Sequence, residues 1–267
     1  MTIKEALETA EIERLDAEIL LCHVLECSRE SLITQSNREL TENQHEVLQE
    51  LYKRREALEP VAYITGTKEF YGRPFIVTSD VLIPRPATEG LVELALDFIK
   101  TGNSEVRDID TDVIAIAVPL GDVSETKAIL DVGTGSGCIA ITLKKQLPEL
   151  EVFGTDISEE AVEVAKRNAE FSVVKINNSK GSLLDAAKNI DVPFIVVSNP
   201  PYIPEEEPLM KDVADYEPSL ALFSGEDGGD LVRELLKQAV ANPLCRGVVV
   251  ECKKEHQKLF ENISRST

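Results

Sequence analysis

The stretch Val196-Val197-Ser198-Asn199-Pro200-Pro201-Tyr202 sets four residue types in an order suited to one kind of recognition. An apolar strand ending at Ser198 delivers Asn199 to the carboxyl edge of a sheet, where open α/β sheets bind ligands. The pair Pro200-Pro201 holds the backbone extended and stiff. The Asn199 side-chain oxygen and the Pro200 carbonyl oxygen can then each accept a hydrogen bond from one NH2 group, with Tyr202 against the face of a planar acceptor. Asn199, Pro200, Pro201 and Tyr202 are therefore the candidate substrate-binding residues, and Asn199, Pro200 and Tyr202 the candidate catalytic ones. A Pro-Pro loop capped by Asn is the purely structural alternative.

A second constellation lies upstream. Asp131-Val132-Gly133-Thr134-Gly135-Ser136-Gly137 follows an apolar strand and opens a helix. Glycine at every second position lets the turn tighten and lets backbone approach a ligand closely. A further strand ends at Asp156, where a carboxylate can accept from both hydroxyls of a ribose. A helix cap is the alternative role for Asp156, although Ser158 can supply that cap instead. Glycine-rich turns also serve NAD and FAD enzymes, but with GxGxxG spacing rather than the GxGxG found here.

This DxGxGxG turn with a strand-terminal acid resembles the class I methyltransferases, whose cofactor S-adenosyl-L-methionine has a ribose and no pyrophosphate. The resemblance implies cofactor contacts from Asp131, Gly133, Thr134, Gly135, Ser136, Gly137 and Asp156, with Asn199 bordering cofactor and substrate alike. Gly181-Ser182-Leu183-Leu184 falls where such enzymes place a turn beside the adenine, usually with Asp at the position of Ser182. Ser182 and Leu183 join the candidate cofactor contacts, with an ordinary loop as the alternative. Methyl transfer from a sulfonium is an in-line displacement. Positioning can supply roughly 7–11 kcal/mol of such a barrier in the best cases, and carbonyl dipoles can stabilise charge developing on nitrogen. No base is obviously required before transfer.

The elements that must hold these residues are legible in outline. Residues 1–64 carry helical stripes, Leu15-Ile19-Leu20-Cys22 and Val47-Leu48-Leu51-Tyr52, with Thr41 and Gln44 as a capping box and Pro60 closing the helical region. Residues 65–86 read as a β-hairpin linker that includes Phe75–Val77 and Val81–Ile83. Helical spacing returns from Thr88 to Lys100. Residues 101–127 fit either an inserted hairpin around Val113–Val118 or an irregular loop, and the pattern does not choose. Strands at Ala128–Val132, Glu151–Thr155, Phe194–Ser198 and Gly247–Cys252 then alternate with helices at Ile139–Gln146, Glu159–Ala169 and Leu231–Ala241. That alternation predicts an α/β fold, a mostly parallel sheet with helices on both faces.

Composition excludes several classes. A formal net charge of −20 argues against gripping a nucleic-acid backbone. No apolar run approaches the roughly 20 residues of a membrane span, and Met1–Glu5 lacks a signal-peptide pattern. Five scattered cysteines without a CxxC pair read as reduced thiols of a cytoplasmic protein. His23, His45 and His256 have no neighbours at metal-ligand spacing, so no metal site is expected.

Longer stretches are similar to the HemK/PrmC family, protein-glutamine methyltransferases of peptide chain release factors. They are Glu59–Gly66, Glu69–Gly72, Val81–Pro86 and Leu220–Gly228, and with the two motifs the likeness covers most of residues 1–252. The resemblance implies a small helical domain at 1–64 that recognises the protein substrate, the linker at 65–86, and a Rossmann-like class I methyltransferase domain at 87–267. It implies as acceptor the side-chain nitrogen of the glutamine in a Gly-Gly-Gln loop. Ala87 and Gly90 depart from the pattern, standing where the family usually has glutamates, and the 101–127 insert is long. Family members also continue past the Gly247–Cys252 strand through a helix into a closing pair of strands. Residues 253–267 suffice for one helix, so the C-terminal strands are expected to be missing and an apolar sheet edge to lack its cover. Two rival readings remain: an amino-methyltransferase of adenine or guanine, which shares the Asn-Pro-Pro-Tyr segment, and a non-catalytic binder of a release factor or nucleoside.

Overall fold

The computed structural model describes residues 1–261 and Ile263. They form two compact units, Met1–Thr67 with Leu209–Tyr216, and Lys68–Pro208 with the chain from Glu217 onward.

The first unit is helical, with helices Ile3–Glu8, Arg14–Leu25, Arg29–Thr34, Glu42–Glu56 and Val61–Thr65. Ile3, Leu20, Leu21 and Leu48 are buried together in its core. The capping box forms as expected: the Thr41 hydroxyl accepts from the Gln44 N–H at 3.2 Å, and the Gln44 side chain accepts from the Thr41 N–H at 3.1 Å. Pro60 does not close the helical region. It stands just before helix Val61–Thr65, a place where its missing N–H forfeits no hydrogen bond. The returning segment adds a turn at Lys211–Ala214, and the Tyr216 hydroxyl donates to the Ala57 carbonyl at 2.8 Å.

The second unit begins within a hairpin of β1 (Thr67–Phe70) and β2 (Arg73–Ile76). Its two-residue turn takes positive φ at both positions, +52° at Tyr71 and +70° at Gly72, which matches the twist of the flanking strands. Val81–Ile83, expected to belong to this hairpin, is not a strand. The Ile83 N–H donates to the Glu217 carboxylate at 3.1 Å, and Pro84 has no N–H to offer a ladder.

Seven further strands make one sheet: β3 (Glu105–Asp108), β4 (Val113–Pro119), β5 (Ala128–Val132), β6 (Glu151–Asp156), β7 (Asn177–Lys180), β8 (Phe194–Ser198) and β9 (Cys245–Lys253). Their order is β3-β4-β9-β8-β5-β6-β7. The pairs from β9 to β7 are all parallel. Alternate side chains enter two cores, as a doubly covered sheet requires. Ile129, Ile195, Val197 and Val249 pack with helices Ala87–Thr101 and Cys138–Gln146. Leu130, Val196, Val248 and Val250 pack with helix Asp230–Ala241 on the opposite face. The expected α/β class is present. Strand β7 was not foreseen, because Asn177-Asn178-Ser179-Lys180 has no apolar signal and is a strand only through its pairing with β6.

The outer flank of β9 settles one open alternative and corrects one expectation. Residues 101–127 contain a hairpin, and that hairpin covers the edge expected to be bare. Strand β4 pairs antiparallel with β9 from Val113↔Lys253 to Pro119↔Gly247, and β3 pairs antiparallel with β4. Ala115 and Ala117 enter one core, and Ile114, Ile116 and Val118 the other. The new edge, Glu105-Val106-Arg107-Asp108, is short and charged, which discourages further pairing. Gly90 has its reason here. An added Cβ would stand 2.5 Å from the Cγ2 of Ile109, in the turn between β3 and β4. Beyond β9 the chain forms turns at Lys254–Gln257 and Lys258–Glu261; the rest of the expected C-terminal helix, residue 262 and residues 264–267, lies outside the described residues.

Candidate active site

The glycine turn is pinned by the strand beside it. The Gly133 and Thr134 N–H groups donate to the Thr155 carbonyl at 2.8 and 2.9 Å. Gly133, Gly135 and Gly137 have φ of +71°, +52° and +79°, the left-handed region that other residues enter at a cost. A Cβ on Gly133 or Gly135 would meet nothing within 4 Å, whereas one on Gly137 would press on Ala165 at 3.3 Å. Two glycines therefore leave room for a ligand, and the third lets helix Glu159–Phe171 approach. Asn168 of that helix, fully buried, donates to the Ser136 carbonyl and exchanges a pair of hydrogen bonds with the backbone of Ile76. It ties the β1–β2 hairpin to the turn, and nothing in its sequence context marked it.

Asp131 lies beneath the turn rather than on the cavity wall. Its Oδ2 accepts from the Thr134 hydroxyl at 2.7 Å and the Ala140 N–H at 3.1 Å, while Oδ1 has no partner among the described residues. Burial pushes this carboxyl up to about 7, against the pull of those two donors. Asp156 ends β6 with its carboxylate accepting from the Gly135 N–H at 2.9 Å and the Ser158 N–H at 3.0 Å. Burial raises its pKa despite these bonds. The cap of helix Glu159–Phe171 is Ser158, whose hydroxyl accepts from the Ala161 N–H at 3.0 Å. Asp156 is thus left free of capping duty.

A cavity of about 430 Å³ opens over these groups. Gly133, Thr134, Gly135, Ser136 and Asp156 line one side, Ser182 and Leu183 a second, and Asn199, Pro200 and Pro201 a third. Asp131, Gly137 and Tyr202 do not line it. Ser182 offers its N–H to Asp185 at 3.1 Å, and Leu183 takes a positive φ of +47°. The cavity suits a group with a ribose, since Asp156 supplies acceptors at a partly buried carboxylate and two open glycines let the chain approach closely.

Asn199 follows β8, whose end is locked to β5 by the Ser198 hydroxyl donating to the Val132 carbonyl at 2.7 Å. The Asn199 Nδ2 donates to the Thr88 hydroxyl at 3.0 Å. With the amide nitrogen committed, the side-chain oxygen remains as an acceptor beside the buried Pro200. The Tyr202 hydroxyl donates to the Glu251 carboxylate at 3.0 Å. Arg85, also on the cavity wall, forms an ion pair with buried Glu217. Thr88, Glu217 and Glu251 escaped the sequence reading, because each sits far along the chain from the residue it holds. Among the described residues, no cluster of three or more His, Cys, Asp or Glu side chains could hold a metal ion.

Known proteins place the chain in a family. Residues 2–66 match the family model described as the PrmC N-terminal domain, and residues 105–214 match the methyltransferase small domain. The release factor glutamine methyltransferase of Koribacter versatilis (strain Ellin345) is 39% identical over 249 residues, covering 89% of this chain and 81% of the relative. The chain belongs to the release factor glutamine methyltransferase family. A Bacillus cereus (strain ATCC 14579) member is 39% identical over 228 residues, 83% of this chain and 72% of its own. The solved N-terminal domain of human METTL16 in complex with SAH superposes with a TM-score of 0.50 at 17% identity, over 94% of this chain and 84% of that one. That likeness concerns the fold alone.

Proposed function

We propose that Asn199 and Pro200 hold the side-chain amide of the glutamine in a release-factor Gly-Gly-Gln loop, and that the cavity beside them holds S-adenosyl-L-methionine. Family membership makes the chain an S-adenosylmethionine-dependent methyltransferase of release factor glutamine. The observation that supports this acceptor assignment is the Asn199 amide. Its nitrogen is tied to Thr88, so its oxygen is the free group at the cavity wall.

The bound cofactor supplies an electrophilic methyl group on a sulfonium. The residues of the chain do the rest. Gly133, Gly135 and Asp156 bind the nucleoside end, and Ser182 and Leu183 flank its base. The Asn199 oxygen and the Pro200 carbonyl accept the two N–H bonds of the glutamine amide, and Tyr202 borders the same segment. Two acceptors on one nitrogen aim its lone pair and stabilise the positive charge that forms there. An amide nitrogen is a weak nucleophile, so orientation matters more than for an amine. Residues 1–64 recognise the body of the release factor, and the place of action is the cytoplasm, where that substrate works. Among the described residues no helix is long and apolar enough to cross a membrane.

The test is transfer of labelled methyl from S-adenosylmethionine to release factor, duplex DNA and ribosomal RNA offered separately. Label on the factor alone, lost when its glutamine is changed, is the expected result. Label on a nucleic acid alone would overturn the reading. A chain lacking residues 1–64 should keep its cofactor affinity and fail to methylate the intact factor.

A further inference from the structure

Behind the acceptor segment a carboxylate is buried among neutral groups. Glu251 lies on β9, beside the strand that carries Asn199, and is 1% exposed. Its Oε1 accepts from the Tyr202 hydroxyl at 3.0 Å, and its Oε2 has no hydrogen-bond partner among the described residues. Thr88, also buried, stands beside it. Having accepted from the Asn199 Nδ2 at 3.0 Å, the Thr88 hydroxyl keeps its own proton free to turn to this carboxylate. Glu251 thus neighbours both residues that frame the acceptor, Tyr202 through its hydroxyl and Asn199 both directly and through Thr88.

Stability does not account for this arrangement. A carboxylate taken out of water without a cation loses more in desolvation than neutral hydrogen bonds return. A well-packed apolar residue would serve the sheet better. What the carboxylate does is fix a phenol and, through a hydroxyl, an amide.

We propose that Glu251 is a positioning residue for methyl transfer, holding Tyr202 and the Thr88–Asn199 pair in the arrangement that receives the glutamine amide. This rests on the acceptor reading given above. The ionised carboxylate is the effective form, because only it accepts from both hydroxyls, and its charge favours the positive charge forming on nitrogen. Burial pushes the Glu251 carboxyl up to about 7, while Thr88, Tyr202 and Asn199 pull it back. The other groups facing this network are Asp110 in the β3–β4 turn, which raises Glu251 further, Cys252 on its own strand, and Arg85, whose charge reaches Tyr202. The wild-type rate should therefore climb as pH rises through about 7.

The experiment compares wild type with Glu251→Gln, Tyr202→Phe and the double variant, using release factor as substrate. It follows kcat and KM across that pH range, together with cofactor affinity and Tm. Glu251→Gln should lower kcat about ten- to hundredfold, as a misplacement near 1 Å does. It should leave cofactor affinity unchanged and flatten the pH limb. The double variant should be no slower than the slower single variant, since both remove one hydrogen bond. A wild-type kcat with the limb intact in Glu251→Gln overturns the proposal, and so do additive losses. Should Glu251→Gln not fold, Tyr202→Phe decides, and a wild-type rate in that variant has the same consequence. If Asn199→Ala is inactive while Glu251→Gln is normal, the acceptor reading stands without Glu251; if wild type leaves release factor unmethylated, both fall.

Discussion

The central sheet is finished differently at its carboxyl edge and on the outer flank of β9. At the carboxyl ends of β5, β6 and β8 a handful of polar atoms have assigned places: the Thr155 carbonyl under the glycine turn, the Asp156 carboxylate against Gly135, the Asn199 amide on Thr88. On the outer flank β4 is held by a backbone ladder and by Ala115, Ile116 and their neighbours facing two cores. The first region needs particular chemical groups at particular spacings. The second needs only an apolar run of the right length, and here that run comes from ahead of β5 rather than from beyond β9. Chemistry at the edge is specific, whereas closure of the sheet is a matter of burial that another segment can provide.

If that contrast holds, changes at the two regions should separate activity from stability. Asn199→Ala should have the largest effect, lowering kcat by about 10²–10³, the usual result of removing one preorganised polar partner. Cofactor affinity and Tm should stay near wild type. An unchanged kcat would take Asn199 out of the mechanism and dissolve the distinction.

Gly90→Ala tests the other flank. Its Cβ would lie 2.5 Å from the Cγ2 of Ile109, and overpacking of this kind costs about 1–3 kcal/mol. Denaturant unfolding should show that loss, Ile109→Ala should restore part of it, and kcat per folded molecule should not move. A fall in kcat without a fall in stability would mean that the hairpin serves the site directly.

The third test concerns pH. Burial raises the Asp131 and Glu251 carboxyls to about 7 from their ordinary values near 4. Over that interval the folded chain binds more protons than the unfolded one, so stability falls as pH rises from about 4 to about 7. The Tm of the ligand-free protein should follow this slope, and Asp131→Asn should flatten it. An equal slope in that variant would show that Asp131 titrates normally and that water reaches it beneath the turn.

The parts legible in the sequence were those with a short-range rule. Ala128–Val132 and Phe194–Ser198 are strands at their expected bounds, and helix Cys138–Gln146 begins one residue before its expected start. The Thr41–Gln44 box needed only three residues of context. Pro60 is ambiguous on its own, because proline is compatible with the start of a helix as well as its end. Strand β7, Asn168, Thr88 and Glu251 were not legible, since each owes its role to a partner distant in the chain.

By itself, then, the amino-acid sequence determined the residue types at the site and their spacing along the chain, because glycine turns, Pro-Pro segments and strand-terminal acids act through local backbone geometry. Tertiary structure decided which side chains stand behind them and which segment closes the sheet. Those choices depend on burial and on contacts such as Asn199 with Thr88, 111 positions apart, and no local pattern encodes them.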